Sequence, residues 1–138
     1  MNTNLINPLV LAYIGDAIYE VEVRSRLIKS GINKVNELQK ECTKYVSARG
    51  QSCFIDKMIE LNMLNESELD IYKRARNSKV KSHPSNTDII TYKKATGYEA
   101  LFGYLYLNNN LDRIKELVDY IMEEWLCIYM AKMSQRKH

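Results

Sequence analysis

The sequence predicts an all-α protein, and three observations carry that prediction. Apolar residues recur at spacings of three and four along most of the chain. No segment alternates with period two. Gly, Pro and Asn gather at a few points that read as helix ends. For 138 residues the simplest organisation is a single domain over 1–138, without repeat or linker. About six or seven helices are expected from this pattern.

Pro8 suits the first turn of a helix, where its missing N–H does no harm. From Leu9 the apolar residues run Leu9, Tyr13, Ala17, and beside them Ile14, Ile18, Val21. This helix reaches about Ile28 and stops at Ser30-Gly31, a C-terminal glycine signal. Asn33 can cap a second helix through about Tyr45. Val46 to Leu61 reads as a third, either continuous with it or broken near Gly50. Asn65 and Glu68 have capping-box spacing and open a helix to about Arg76. Asn77 to Thr87 is irregular, with Pro84, Asn86 and three serines. Asn86 or Thr87 then caps a helix carrying Asp88 to about Leu107. Asn108-Asn109-Asn110 is a turn. Leu111 to about Met133 is a last amphipathic helix, with Ile114, Leu117, Val118, Ile121, Trp125, Ile128 and Tyr129 on its apolar face. The last residues, Gln135 to His138, are expected to fray.

Composition narrows the function classes. Cys42, Cys53 and Cys127 are odd in number and lack a CxxC spacing, which fits reduced core thiols of a cytoplasmic protein. His83 and His138 do not complete a zinc site. The first residues show no basic n-region, so a signal peptide is not expected. No stretch is apolar enough to predict a membrane span. The net charge is only +3, yet Lys73 to Lys94 holds seven bases (Lys73, Arg74, Arg76, Lys79, Lys81, Lys93, Lys94) against one acid, Asp88. That segment is +6 and the remainder −3, a basic patch on a near-neutral body. It fits a polyanionic partner, or merely a solvated lysine-rich loop.

Two acids stand out. Asp16 follows Gly15, and Glu99 lies between Gly97 and Gly103, each on an apolar helix. A mid-helix Gly costs about 1 kcal/mol relative to Ala, so such positions usually serve a purpose. The three glycines would let two helices approach closely, and two facing carboxylates can then share a hard divalent cation such as Mg²⁺. Such a site suits phosphodiester hydrolysis, because the cation acidifies a water and offsets charge on the leaving oxygen. Plainer readings stand beside these. Asp16, placed on the inward side, can be a buried acid satisfied by Arg24 or Arg49. Glu20 can be an exposed acid paired with Arg24 at i+4. The glycines can serve packing alone. His83 can touch a phosphate, act as a general acid or simply be solvated. Tyr92, Tyr98, Tyr104 and Tyr106 fit core or interface better than base stacking.

Two stretches resemble the ribonuclease III family. Leu9 to Tyr19, reading L-V-L-A-Y-I-G-D-A-I-Y, resembles its signature helix, and Lys94 to Gly103, with T-G-Y-E-A-L-F-G, resembles its second acidic motif. Tyr45 to Gln51 lies between them, where the family has another helix near its site. Arg74-Ala75-Arg76-Asn77 and Asn86-Thr87-Asp88 add to the pattern. The resemblance covers nearly the whole chain and is strongest to the family's Mini-ribonuclease III branch, which lacks a double-stranded-RNA-binding domain.

The resemblance implies an all-α endonuclease fold and a homodimer whose valley holds double-stranded RNA. It also implies Mg²⁺-dependent cleavage to 5′-phosphate and 3′-hydroxyl ends, with precursor 23S ribosomal RNA as substrate. Carried over by position, the signature Asp is Asp16 and the late Glu is Glu99. Other family acids fall on Leu9, Ala12 and Thr96, so the usual carboxylate cluster is reduced. Glu20, one turn from Asp16, can add a ligand, and Thr96 can hold a water. Arg74, Arg76, Lys79 and Lys81 are the candidates for gripping RNA, and a ribosomal protein can present it. The loss of acids also supports a different reading, an inactive RNA- or ribosome-binding module. A third is a helical interaction protein using Leu111–Met133.

Overall fold

The structure, a computed structural model, describes residues 1–79 and 87–136, with side chains described through residue 125. Among the described residues a 3-10 turn, Thr3–Leu5, and six α-helices occur, and no strand. The all-α prediction is correct. Among these residues no helix is long and apolar enough to cross a membrane.

Helix α1, Pro8–Lys29, starts where expected, with the Asn7 side chain accepting from the Leu9 N–H at 2.8 Å. It ends at Gly31, whose φ of +108° is a left-handed conformation that glycine adopts without strain. Its buried stripe is Leu11, Ala12, Gly15, Tyr19, Val23 and Leu27. This corrects the expected face, since Leu9, Tyr13, Asp16, Ala17 and Val21 are exposed. The helix is apolar on more than one side, so periodicity alone could not choose the inward one.

Helix α2 spans Val35–Val46 with Lys34 rather than Asn33 at its start, and no side chain caps it. Helix α3 spans Ala48–Glu60. The break between them falls at Ser47, not at Gly50. Ser47 is extended, and its hydroxyl accepts the Gly50 N–H at 3.1 Å. Gly50 lies inside α3, where a Cβ would overlap the Lys44 carbonyl. Helix α4, Glu66–Arg76, opens with the expected capping box. Asn65 Oδ1 accepts from Glu68 N at 2.9 Å and Glu68 Oε1 from Asn65 N at 3.0 Å.

Helix α5 spans Ile89–Leu107 and is capped by Asp88, which accepts the Thr91 N–H at 2.8 Å, rather than by Asn86 or Thr87. Between α4 and α5, residues 77–79 and Thr87 are non-helical. The expected features at Lys81, His83, Pro84 and Asn86 lie outside the described residues. Helix α6, Leu111–Arg136, follows the Asn108–Asn110 turn, in which Asn109 has φ 58°. Ile114, Leu117, Val118 and Ile121 are buried as expected. The Cys127, Ile128 and Tyr129 side chains lie outside the described residues.

Helix α5 is buried on nearly every side, at Ala95 to Tyr98, Ala100 to Gly103 and Leu105, and α1, α3, α4 and α6 pack around it. The rings of Tyr19, Tyr98 and Phe102 meet at centroid distances of 4.9–5.0 Å at the core's centre. Cys42 and Cys53 are buried and form no disulfide, in line with the reduced core thiols that the composition suggested. Arg113 on α6 donates to both Glu68 oxygens, at 2.8 and 2.9 Å, and to the Met63 carbonyl, tying α6 to the start of α4.

Candidate active site

Two glycines set the geometry where α1 crosses α5. A Cβ on Gly15 would overlap the Glu99 carbonyl, and a Cβ on Gly103 would overlap that of Leu11. The two backbones therefore touch, which only residues without a side chain permit. Gly97 does not share this role. It faces the Tyr72 ring of α4, a correction to the expectation that all three glycines serve one crossing.

This crossing brings the sequence-predicted pair together. Asp16 and Glu99 line one open cleft of about 760 Å³, close enough for Asp16 to act on the Glu99 carboxyl. Asp16 is exposed, so it is not the buried, arginine-satisfied acid of the plainer reading. Glu99 is half-buried. Burial, then Asp16 as hydrogen-bonding neighbour and like charge, pushes its carboxyl up to about 9. The nearby Gln51 amide acts the other way, and Glu20 adds a weaker repulsion. At neutral pH Glu99 therefore keeps its proton. Two oxygen-donor acids lining one open cleft suit a divalent cation in that proton's place. The residues fit the ion that the resemblance implies.

Glu20 is placed differently. Its Oε1 accepts from Arg24 Nη2 at 2.8 Å, the exposed i+4 pair anticipated as the plainer reading. Among the described residues no three Asp, Glu, His or Cys side chains gather as a metal-binding group. Ala12 and Thr96 also line the cleft. Thr96 Oγ1 donates to the Tyr92 carbonyl at 3.1 Å, so its hydrogen is engaged while a lone pair stays free for a water.

The basic candidates divide. Arg74 and Arg76 lie in the last turn of α4, with the Arg76 guanidinium 5.4 Å from the Tyr72 ring centre. Lys79 is exposed and lines the cleft holding Asp16 and Glu99. Lys81 and His83 lie outside the described residues. Lys94 pairs with Asp56 at 3.0 Å, which draws one base of the charged segment onto the protein itself.

Sequence reasoning passed over Gln51. It lies in the first turns of α3, is 1% exposed, and stands beside Glu99. Its Nε2 is buried and donates to no acceptor. The available signal was a lone amide preceding Cys53-Phe54-Ile55 in a stretch already singled out between the two acidic motifs.

Residues 9–110 match the Ribonuclease III domain, a span that takes in both acid-bearing helices. The chain belongs to the ribonuclease III family. Among relatives it is 43% identical over 124 residues to the Mini-ribonuclease 3 of Streptococcus pneumoniae (strain ATCC BAA-255 / R6), covering 90% of this chain and 97% of that one. It is 48% identical over 115 residues to the Mini-ribonuclease 3 of Brevibacillus brevis (strain 47 / JCM 6285 / NBRC 100599), covering 83% and 84%. A crystal structure of a protein from Fusobacterium nucleatum superposes with a TM-score of 0.77 at 34% identity, over 86% of this chain and 93% of that one. This ribonuclease III-family chain is an endoribonuclease with the all-α fold of that family.

Proposed function

We propose that the chain cleaves double-stranded RNA at the α1–α5 crossing, with Asp16 and Glu99 as the catalytic acids and ligands of Mg²⁺. The observation that carries this is the pairing of two carboxylates in one open cleft. A cation bound there would supply water activation and charge neutralisation at the scissile phosphate. The chain's own residues do the rest. Asp16 and Glu99 fix the ion's place, and Glu20 lends further negative potential from its pair with Arg24. Thr96 offers an acceptor to a water in the cleft. Lys79, with Arg74, Arg76 and Lys81, holds the RNA backbone. The products carry 5′-phosphate and 3′-hydroxyl ends.

Double-stranded RNA is read mainly through shape, phosphates and 2′-hydroxyls. One small domain offers limited surface for that, and a homodimer doubles it. Leu9, Val10 and Tyr13 support the dimer: all three are exposed, Tyr13 at 82%, beside or within the cleft lining. The substrate we favour is precursor 23S ribosomal RNA in the cytoplasm, presented by a ribosomal protein. Ala12 and Thr96 are what favour the binding-only reading, while the retained pair of acids counts against it.

The test is incubation with a double-stranded RNA stem and Mg²⁺, beside Asp16→Asn, Glu99→Gln and an EDTA control. Cleavage by the unaltered chain alone, abolished by EDTA, is expected. Binding without cleavage across several stems would support the binding-only reading. Cleavage that survives both substitutions would remove Asp16 and Glu99 from the chemistry.

A further inference from the structure

The Gln51 carboxamide is a buried donor without an acceptor, and it stands beside a carboxylate. Its backbone is held firmly. The Gln51 N–H donates to the Ser47 carbonyl at 2.9 Å, Ser47 caps the helix, and Gly50 packs onto the Lys44 carbonyl. The side chain thus rises from a fixed turn of α3 toward α5. We propose that Gln51 is a positioning residue for Glu99, donating its Nε2 hydrogen to one carboxylate oxygen so that the other faces Asp16 and the cation.

This rests on the reading of Asp16 and Glu99 as ligands of a divalent cation. An ionised carboxylate only accepts, and has room for an ion on one oxygen and a donor on the other. The choice of an amide matters. A lysine or arginine here would cancel the charge that attracts the cation, whereas a neutral amide orients the acid and leaves its charge intact. Partners that orient a metal ligand in this way typically govern affinity or activity by about 10–100-fold.

Gln51→Met keeps the length and removes both donors. It should melt in EDTA within a few degrees of the unaltered chain and keep its KM for an RNA stem within about twofold. Half-saturating Mn²⁺, read by water-proton relaxation, should rise by about 10–100-fold, with a matching fall in kcat at subsaturating metal. Mn²⁺ binding equal to that of the unaltered chain overturns the proposal. A second readout needs no substitution. Gln51 is one of three glutamines, so its side-chain amide can be followed by NMR. Mg²⁺ should shift one Nε2 proton downfield and slow its exchange, and an unmoved signal overturns the proposal. Should the unaltered chain bind no Mn²⁺ that Asp16→Asn removes, the metal reading fails and this proposal falls with it. Binding retained in Gln51→Met but lost in Asp16→Asn defeats the Gln51 proposal alone.

Discussion

Glu99 is caught between a partly buried site, which disfavours its charge, and a neighbour of the same charge. The consequence can be measured without RNA. In EDTA the folded chain holds the Glu99 proton up to about pH 9, while the unfolded chain releases it near the ordinary value of 4.5. Between these values the folded state binds more protons, so this group's contribution to stability falls as pH rises. The melting temperature in EDTA should therefore decline through that window more steeply than in Glu99→Gln. Added Mg²⁺ at pH 8 should raise the melting temperature of the unaltered chain and leave the variant's nearly unchanged. Equal slopes in EDTA would mean that Glu99 is already ionised. Asp16 and Glu99 were legible in the sequence because helices rarely keep an acid beside a glycine on an apolar run without reason. Gln51 was not, because its role depends on what α5 places opposite it, and nothing local to α3 records that.

At the scale of elements, the α1–α5 crossing is the sensitive joint. Gly15→Ala would press a methyl group into the Glu99 carbonyl, and backbone cannot yield as a flexible side chain does. Overpacking of this kind costs typically 1–3 kcal/mol, so urea unfolding should show a loss of about that size or more. The same variant should lose cleavage even where it remains folded, because the two acids separate. Full activity in Gly15→Ala would show that helix spacing does not set the site. Some helix ends were readable from cap chemistry, as at Pro8, Asn65–Glu68 and Gly31, while the caps of α2, α3 and α5 were not. The face of α1 was not. Its two apolar stripes are equivalent until α5 supplies Gly103, and only the stripe containing Gly15 can meet it. The expected boundary at Tyr45–Val46 lies within two residues of the break at Ser47, while the alternatives, a continuous helix or a break near Gly50, do not hold. A glycine packed against a carbonyl looks, in sequence, the same as one that breaks a helix.

For the whole molecule, the proposed grip on RNA depends on where charge is placed. Lys79 brings one base of the basic segment into the cleft, while Lys94 is engaged with Asp56. Lys79→Ala should weaken binding to double-stranded RNA of any sequence and flatten the plot of log affinity against log salt by about 0.9 for one lost phosphate contact. An unchanged slope would place the RNA elsewhere. The glycine crossing has one more consequence. A gap set by touching backbones does not drift when the side chains around it are exchanged. Substitutions among Leu101, Leu117 and Ile121 would alter how firmly the molecule resists heat, yet leave the spacing of its acids alone. Thermal tolerance and turnover are therefore separately tunable here, and a library confined to those core positions would vary one while holding the other constant.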